Sequence, residues 1–135
     1  MEDSTADLLM AAARSLRRRY ADALKEHDIT PAQSRALRVV ADDPGLRLAA
    51  VAERLRMAPR SATEVIDALE QRGLVERRPD PTDRRASSVT LTDQGRRLRH
   101  TIDRVRADES QRYLSRLTDA DRADLGRILR LLDPA

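Results

Sequence analysis

A chain of 135 residues without a cysteine has the usual size of one compact domain, and it excludes disulfides, thiol redox chemistry and cysteine metal sites. Two tyrosines and two histidines speak against base-stacking platforms for single-stranded nucleic acid and against a transition-metal site. The net charge of +3 is concentrated in the middle, because residues 54–106 sum to +5 whereas residues 1–53 and 107–135 each sum to −1, as expected if the middle segment meets a polyanion.

Two amphipathic helices are predicted at the start of the chain. The first begins at the capping box STAD, from Ser4, and runs to about His27. The second begins at TPAQ, from Thr30, where an N-cap, a proline at the first helical position and a capping-box glutamine coincide, and it ends at the stop signal DDPG. The longest apolar run, Leu8 to Ala13, is far shorter than the ~20 residues of a membrane span, and no signal segment precedes it. A cytoplasmic protein without membrane association is therefore expected.

A helix-turn-helix followed by a hairpin is predicted in the middle of the chain. A short helix with apolar residues from Leu48 to Leu55 is followed by a break, and the next helix begins at Pro59 and is closed by Gly73. Residues 74–78 and 87–91 are both β-prone and flank a turn rich in Pro and Asp. The predicted fold is mainly α with a small β-hairpin wing, a winged helix-turn-helix.

Two further helices follow the hairpin, one capped by Thr92 and one opened by the capping box TDAD from Thr118. The first and last helices of the chain carry apolar stripes outside the compact helix-turn-helix, and a second copy of the chain around a two-fold axis is the simplest cover for them. The sequence therefore predicts a homodimer. Within one structural domain, residues 1–28 and 92–135 form the dimerisation helices and residues 29–91 the DNA-binding region.

The run from Ile29 to Gly95 resembles the MarR family of bacterial winged-helix transcription regulators. The most specific parts of the resemblance are the wing, GLVERRPDPTDRR, and the LTDQG that follows it, since the helix-turn-helix itself is shared with many regulators. The resemblance implies a homodimer that binds a pseudo-palindromic operator in double-stranded DNA, usually as a repressor. It also implies that a small anionic aromatic ligand often releases the DNA. No cofactor and no metal are expected.

The DNA-binding residues also come from this resemblance, because in the family the fourth helix lies in the major groove and the wing sends an arginine into the minor groove. Carried over to this chain, the implied DNA-binding residues are Arg60, Ser61, Thr63, Glu64, Arg84 and Arg85. Arg85 is the implied minor-groove residue and Arg84 its phosphate-binding neighbour. Asp83 is expected to brace the wing by a charge-assisted hydrogen bond to the Arg85 guanidinium.

The fourth helix and its cap depart from the family pattern at three positions, one of which is Ala68, where many members carry a basic residue. Ala58 stands where members often have a serine cap, which forgoes roughly 1 kcal/mol, and Glu64 stands where many carry a basic or amide residue. An ordinary solvated face with an Arg60 to Glu64 pair, and with Asp67 also outward, is the alternative interpretation. A glutamate can also accept from cytosine N4 or hold an arginine for guanine, so both interpretations stay open.

Four residues near the junction of the first two helices are candidates for ligand binding. Arg17 can pair with a ligand carboxylate, and Tyr20, His27 and Gln33 lie where the helices meet. The alternative is that Arg17 belongs to a solvated face and the other three residues to the edge of the core.

An enzyme is not expected, because the chain has no Gly-rich phosphate loop, no nucleophile motif and no metal cluster. Two other functions remain beside the regulator. Glu64 and Asp67 favour a protein-interaction adaptor that has lost DNA binding, and a sequence-tolerant architectural DNA binder is the third class. The positive middle segment and the arginine pair of the wing favour the regulator.

Overall fold

The computed structural model describes residues 2–134, which form six α-helices and a three-stranded antiparallel sheet. The elements are α1 Thr5–Leu24, α2 Pro31–Asp42, β1 Leu46–Arg47, α3 Leu48–Leu55, α4 Pro59–Gln71, β2 Val75–Pro79, β3 Ser87–Leu91, α5 Asp93–Tyr113 and α6 Asp119–Leu132. A 3-10 turn, Lys25–His27, continues α1. The predicted mainly α winged helix-turn-helix is confirmed. The outermost residues of the predicted dimerisation segments, 1 and 135, lie outside the described residues.

The helices begin where the sequence places their caps. The hydroxyls of Ser4, Thr30 and Thr118 each accept a hydrogen bond of 3.1 Å from the backbone amide three residues later, and in each case the third residue returns a bond to the cap. Thr92 caps α5 in the same way by accepting from the amide of Gly95. These bonds satisfy amides that have no partner inside the helix, which is why the helix starts are readable from sequence.

The wing has a third strand that the hairpin prediction missed. β1 pairs antiparallel with β3, with Leu46 opposite Val89 and Arg47 opposite Ser88, so the strand order is β1-β3-β2. A strand of two residues shows no alternation, and hydrophobic periodicity therefore cannot reveal it. Because β1 directly precedes α3, this pairing joins β3 of the wing to the start of α3.

One core holds the helix-turn-helix against the flanking helices. Ala62, Ile66 and Leu69 are the fully buried face of α4, and Val65 beside them is half-buried. The same cluster of buried side chains includes residues from every helix except α6, namely Leu24, Leu37, Val40, Val51, Leu55, Ile66, Leu69 and Ile102. Because α1 and α5 contribute to it, the orientation of α4 is fixed by the long helices as well as by its own helix-turn-helix partner.

The base of the wing is fastened to α5 at a close junction. Gly73, with φ +71°, turns the chain from α4 into β2, and its carbonyl accepts a hydrogen bond of 2.6 Å from the Thr92 hydroxyl. A Cβ on Gly95 would lie 2.0 Å from the carbonyl oxygen of Leu74. Only glycine allows this approach, which explains the last residue of LTDQG.

Apolar surface remains uncovered at the two ends of the chain. None of the described residues of α6 is buried. The exposed large apolar side chains are Leu8, Leu9, Met10, Ile128, Leu129, Leu131 and Leu132. Within residues 2–134, no helix combines the length and apolar character needed to cross a bilayer.

Candidate nucleic-acid interface

The helix-turn-helix exposes the first turns of α4. The preceding helix α3 ends at Arg56 in the left-handed conformation, with φ +53°, and α4 begins at Pro59 without a side-chain cap from Ala58. Proline has no amide hydrogen, so Pro59 reduces by one the number of first-turn amides that lack a hydrogen-bond partner. The uncapped amides of this first turn carry the positive end of the helix dipole.

Three exposed side chains, Arg60, Ser61 and Glu64, form what we call the reading face of α4. Across residues 2–134, none of the three side chains forms a hydrogen bond or an ion pair with the protein, so an Arg60 to Glu64 pair is not present. Thr63 differs, because it is half-buried and its hydroxyl donates a 2.9 Å bond to the carbonyl of Pro59. The reading face is therefore free to meet a ligand, whereas the Thr63 hydroxyl is already used.

The other two acids of α4 are neutralised by the wing. The sequence interpretation placed Asp67 outward, but its carboxylate accepts from the Arg77 guanidinium of β2. Glu70 accepts from the same guanidinium at 3.2 Å and from the Arg77 amide at 3.1 Å. These hydrogen bonds lower the pKa of Glu70, and the pKa of Arg77 is raised chiefly by its bond to Glu70. Of the three acids of α4, only Glu64 is left on the exposed face.

The tip of the wing presents two free guanidiniums. Arg84 and Arg85 are exposed, and their side chains have no ion-pair partner in the part of the chain that the structure describes. Asp83 supports this tip by accepting a 3.0 Å bond from the backbone amide of Arg85. The expected bond from Asp83 to the Arg85 guanidinium is not formed, because the carboxylate closes a local turn with the amide two residues on.

A second support of the wing was missed at the level of sequence. Arg47 donates to the Asp80 carboxylate at 2.7 Å and to the Thr82 hydroxyl at 3.1 Å, and Asp80 also accepts from the Thr82 amide and hydroxyl. The Thr82 bonds, followed by that from Arg47, lower the pKa of Asp80 from 3.8 to about 2. An ionised carboxylate whose pKa is lowered by folding stabilises the fold fully when the pH is above the pKa of the unfolded chain. This stabilisation is lost as the pH falls towards 2. The support is thus complete at neutral pH.

The wing and the start of α4 face a common groove of about 350 Å³. Its walls are Arg47, Leu48, Ala49, Pro59, Thr63, Arg85, Ala86 and Ser87. Arg85 therefore lies beside the first turn of α4 and not on a remote loop. This arrangement gives one side of the molecule an exposed helix end and a basic arm that is separated from it by a groove.

The structure does not gather the four predicted ligand residues at one site. Arg17 is exposed, and the Gln33 side chain completes the cap of α2 by accepting from the Thr30 amide. His27 lines a separate cleft of about 330 Å³, together with Asp108, Glu109 and Arg112, in which Arg112 pairs with Glu109 at 2.7 Å. A larger cavity of about 720 Å³, between α2, the wing strands and the start of α5, contains none of the four.

Tyr20 has a basic neighbourhood that the sequence did not reveal. The Arg106 guanidinium of α5 lies 4.3 Å from the centre of the Tyr20 ring. Burial lowers the pKa of Arg106, and the positive charge of Arg38 lowers it further. An arginine of α5 therefore lies over an aromatic ring of α1, a contact that no sequence spacing predicts.

Comparison with known proteins agrees with this geometry. A family model described as the MarR family matches residues 27–86. An HTH-type transcriptional repressor from Mycobacterium bovis is 30% identical over 125 residues, which cover 93% of this chain and 90% of the relative. The chain belongs to the MarR family. A Thauera aromatica protein named as a transcriptional regulatory protein for the hcr operon is 33% identical over 104 residues, which cover 77% of this chain and 63% of the relative.

A solved MarR family structure shares both the fold and the length. The Mycobacterium tuberculosis MarR family protein crystallised with DNA superposes with a TM-score of 0.85 at 27% identity, covering 98% of this chain and 99% of that one. The match extends over the terminal helices as well as the winged helix-turn-helix.

Proposed function

We propose that this MarR family protein is a sequence-specific regulator of transcription that binds double-stranded DNA as a homodimer and represses from a pseudo-palindromic operator. The observation that carries the proposal is that the free reading face and the arginines of the wing lie on the same side of the molecule. Asp67 and Glu70, which would repel phosphate, are paired with Arg77 there. Of the two acids that favour an adaptor, Asp67 is thus neutralised and only Glu64 remains unpaired among the described residues.

The names of the relatives support the same function. The Mycobacterium bovis relative is named a transcriptional repressor, and the Mycobacterium tuberculosis structure is a complex with DNA. We propose that residues 29–91 contact DNA, and that the dimer forms through residues 1–28 and 92–135. A repressor of this kind needs no cofactor or catalytic group, and it acts in the cytoplasm, where the chromosome lies.

Residue roles follow from the geometry of the interface. We propose that Arg60, Ser61 and Glu64 meet base edges in the major groove, with Thr63 contributing contact through its methyl group because its hydroxyl is used. Arg85 enters the neighbouring minor groove and Arg84 binds phosphate. Asp83 holds the backbone from which Arg85 projects.

Footprinting of the DNA that flanks the protein's own gene, at two salt concentrations, tests the function. The regulator is expected to protect two half-sites about one helical turn apart, at both salt concentrations. Uniform protection that disappears at the higher salt would identify the architectural binder. Absence of protection at low salt would favour the adaptor.

Glu64→Gln is expected to change the base preferred at one position in each half-site, by roughly 1–3 kcal/mol, because a carboxylate and an amide prefer different base edges. The change is measured by selecting bound sequences from a randomised operator. Glu53→Gln, an exposed acid of α3, is the control for loss of a negative charge. An equal gain in affinity for every sequence would show that Glu64 only repels phosphate.

We propose that a small anionic aromatic ligand releases the DNA. The Mycobacterium tuberculosis relative has been solved with salicylic acid and with p-aminosalicylic acid. In this chain Arg106 lies over the Tyr20 ring and senses the positive charge of Arg38, so this region has the chemistry to bind a carboxylate and a ring together. Arg17 remains a candidate for the same carboxylate, whereas His27 lines a different cleft, which does not include Tyr20 or Arg106.

Salicylate is the probe for this site. Arg106→Gln is expected to abolish release of operator DNA by salicylate while leaving affinity for DNA within about twofold, because Arg106 lies on α5 away from the reading face. Arg104→Gln, an exposed arginine of the same helix, is the matched control. Equal release from the Arg106→Gln variant and the wild type, measured by fluorescence anisotropy of labelled operator, would rule the site out.

A further inference from the structure

Arg47 occupies the N-cap position of α3 but does not cap the helix. At this position a short polar side chain usually accepts from the helix amides, yet no such bond is formed. Its backbone belongs to β1 and lies opposite Ser88 of β3. Because β3 is the central strand, the Arg47 side chain crosses it to reach Asp80 and Thr82, which follow the other outer strand.

The loop at the wing tip has few other supports. Its remaining hydrogen bonds join residues of the loop itself: Thr82 donates to Asp80, the Arg85 amide donates to Asp83, and two backbone bonds run from the Asp80 amide to the Ala86 carbonyl and from the Ala86 amide to the Asp83 carbonyl. Among residues 2–134, Arg47 is the one side chain from outside the hairpin that hydrogen-bonds to residues 80–86. The bond is charge-assisted, and its acceptor is the better shielded partner, with 12% of the Asp80 side chain exposed.

We propose that Arg47 is a positioning residue that fixes the wing tip relative to α4 and thereby places Arg85 for DNA binding. The inference rests on the proposed function. Arg47 precedes α3, which packs directly against α4, so its bond to Asp80 connects the helix-turn-helix to the far side of the wing. Without that bond, the tip is held only by the hairpin ladder and its own turn bonds, and Arg85 samples a wider arc.

A direct phosphate contact by Arg47 is the competing role. About half of the side chain is exposed, and it lines the groove between the wing and α4. The two roles differ in what they require of Asp80. A positioning arginine needs the carboxylate, whereas a phosphate-binding arginine is released by its removal, which also takes away a negative charge near the DNA.

Limited trypsin digestion tests the positioning without DNA. Cleavage after Arg84 and Arg85 is followed by mass spectrometry in the wild type, Arg47→Ala and Arg54→Ala. Arg54 is a matched control, because its side chain is equally exposed at 49% and pairs with Asp43 at 3.2 Å away from the wing. Arg47→Ala is expected to speed cleavage at the tip roughly two- to fivefold, the factor that corresponds to an exposed ion pair, and Arg54→Ala to leave it unchanged. Equal rates in all three proteins would overturn the inference.

Operator binding separates positioning from direct contact. Arg47→Ala and Asp80→Asn are both expected to weaken binding, and neither to weaken it further when Arg85→Ala is already present. Arg47→Lys is expected to restore only part of the affinity, since one ammonium cannot reach Asp80 and Thr82 in the geometry of the guanidinium. Tighter binding by Asp80→Asn, or the same loss from Arg47→Ala with and without Arg85, would overturn the inference in favour of a phosphate contact.

The same titrations tell the inference and the proposed function apart. A wild-type protein without sequence-selective binding would overturn the function, and the inference with it. A selective wild type whose Arg47→Ala and Asp80→Asn variants bind as the wild type does would overturn the inference alone.

Discussion

Arg85→Ala is expected to weaken operator binding and to flatten the preference for A·T pairs beside each half-site. The narrow minor groove of A·T-rich DNA has an enhanced negative potential, which a guanidinium can enter without reading a base-specific pattern. Arg85 is exposed, has no ion-pair partner among residues 2–134, and borders the groove beside the first turn of α4. It is therefore placed to reach a minor groove while the reading face of α4 occupies the adjoining major one.

Titration against operator DNA at several salt concentrations measures this effect. The slope of log affinity against log salt should fall by roughly one unit per wing, because each lost phosphate or groove contact releases about one counterion fewer. Arg84→Ala is the matched variant: it should reduce the slope similarly but leave the A·T preference intact. Folding should change by no more than about 0.5 kcal/mol in either variant, as is usual for exposed loop residues. Coincident titration lines for Arg85→Ala and the wild type would exclude the minor-groove role.

Deletion of residues 118–135 is expected to give a folded monomer that has lost most of its affinity for the operator. None of the described residues of α6 is buried in the chain itself, and four of its large apolar side chains are exposed. The core therefore survives the deletion, whereas the surface that a second copy would cover is removed. Because two linked half-site contacts become one, affinity should fall roughly 10²- to 10⁴-fold.

Sedimentation equilibrium and circular dichroism together check this deletion. Replacement of Leu131 and Leu132 by serine in the full chain is the milder control, since both side chains are exposed, at 71% and 60%. It should weaken the dimer without shortening any helix of the core. A truncated protein that remains a dimer with unchanged operator affinity would contradict the proposed role of α6.

Deletion of the first helix is not an equivalent experiment. Its apolar stripe suggests from sequence that residues 1–27 serve the dimer alone, but Leu24 is 2% exposed and belongs to the same buried cluster as Leu37 and Ile66. Removing it opens the core of the helix-turn-helix, with a cost of several kcal/mol that is typical of large core truncations. Loss of the dimer after that deletion would therefore say little about the interface.

Local signals explain why the helices and the hairpin can be predicted from the sequence. A capping box joins residues three apart, and the turns before α4 and within the wing contain proline, glycine or aspartate in short runs. The start of α2 at Pro31 and the bounds of β3, residues 87–91, are found where the sequence places them. In each case the information lies within a few neighbouring residues.

The remaining features depend on residues that are far apart in sequence. Arg47 and Asp80 are separated by 33 positions, and the spacing of either residue gives no indication of the other. Asp67 faces outward on a helical wheel, and only the position of β2 shows that Arg77 neutralises it. Asp83 was predicted to contact the correct residue, but the choice between the amide and the guanidinium of Arg85 is decided by the local turn.

The shared use of Arg77 limits how the operator preference of such a protein can diverge. A substitution at Asp67 or Glu70 that gained a base contact would also loosen the strand that carries the wing, so it would change two DNA contacts at once. The side chains of Arg60, Ser61 and Glu64 form no hydrogen bond or ion pair within residues 2–134, so their substitution leaves the wing unchanged. Related proteins that bind other operators are therefore expected to differ at these three positions, while Asp67, Glu70 and Arg77 are retained together.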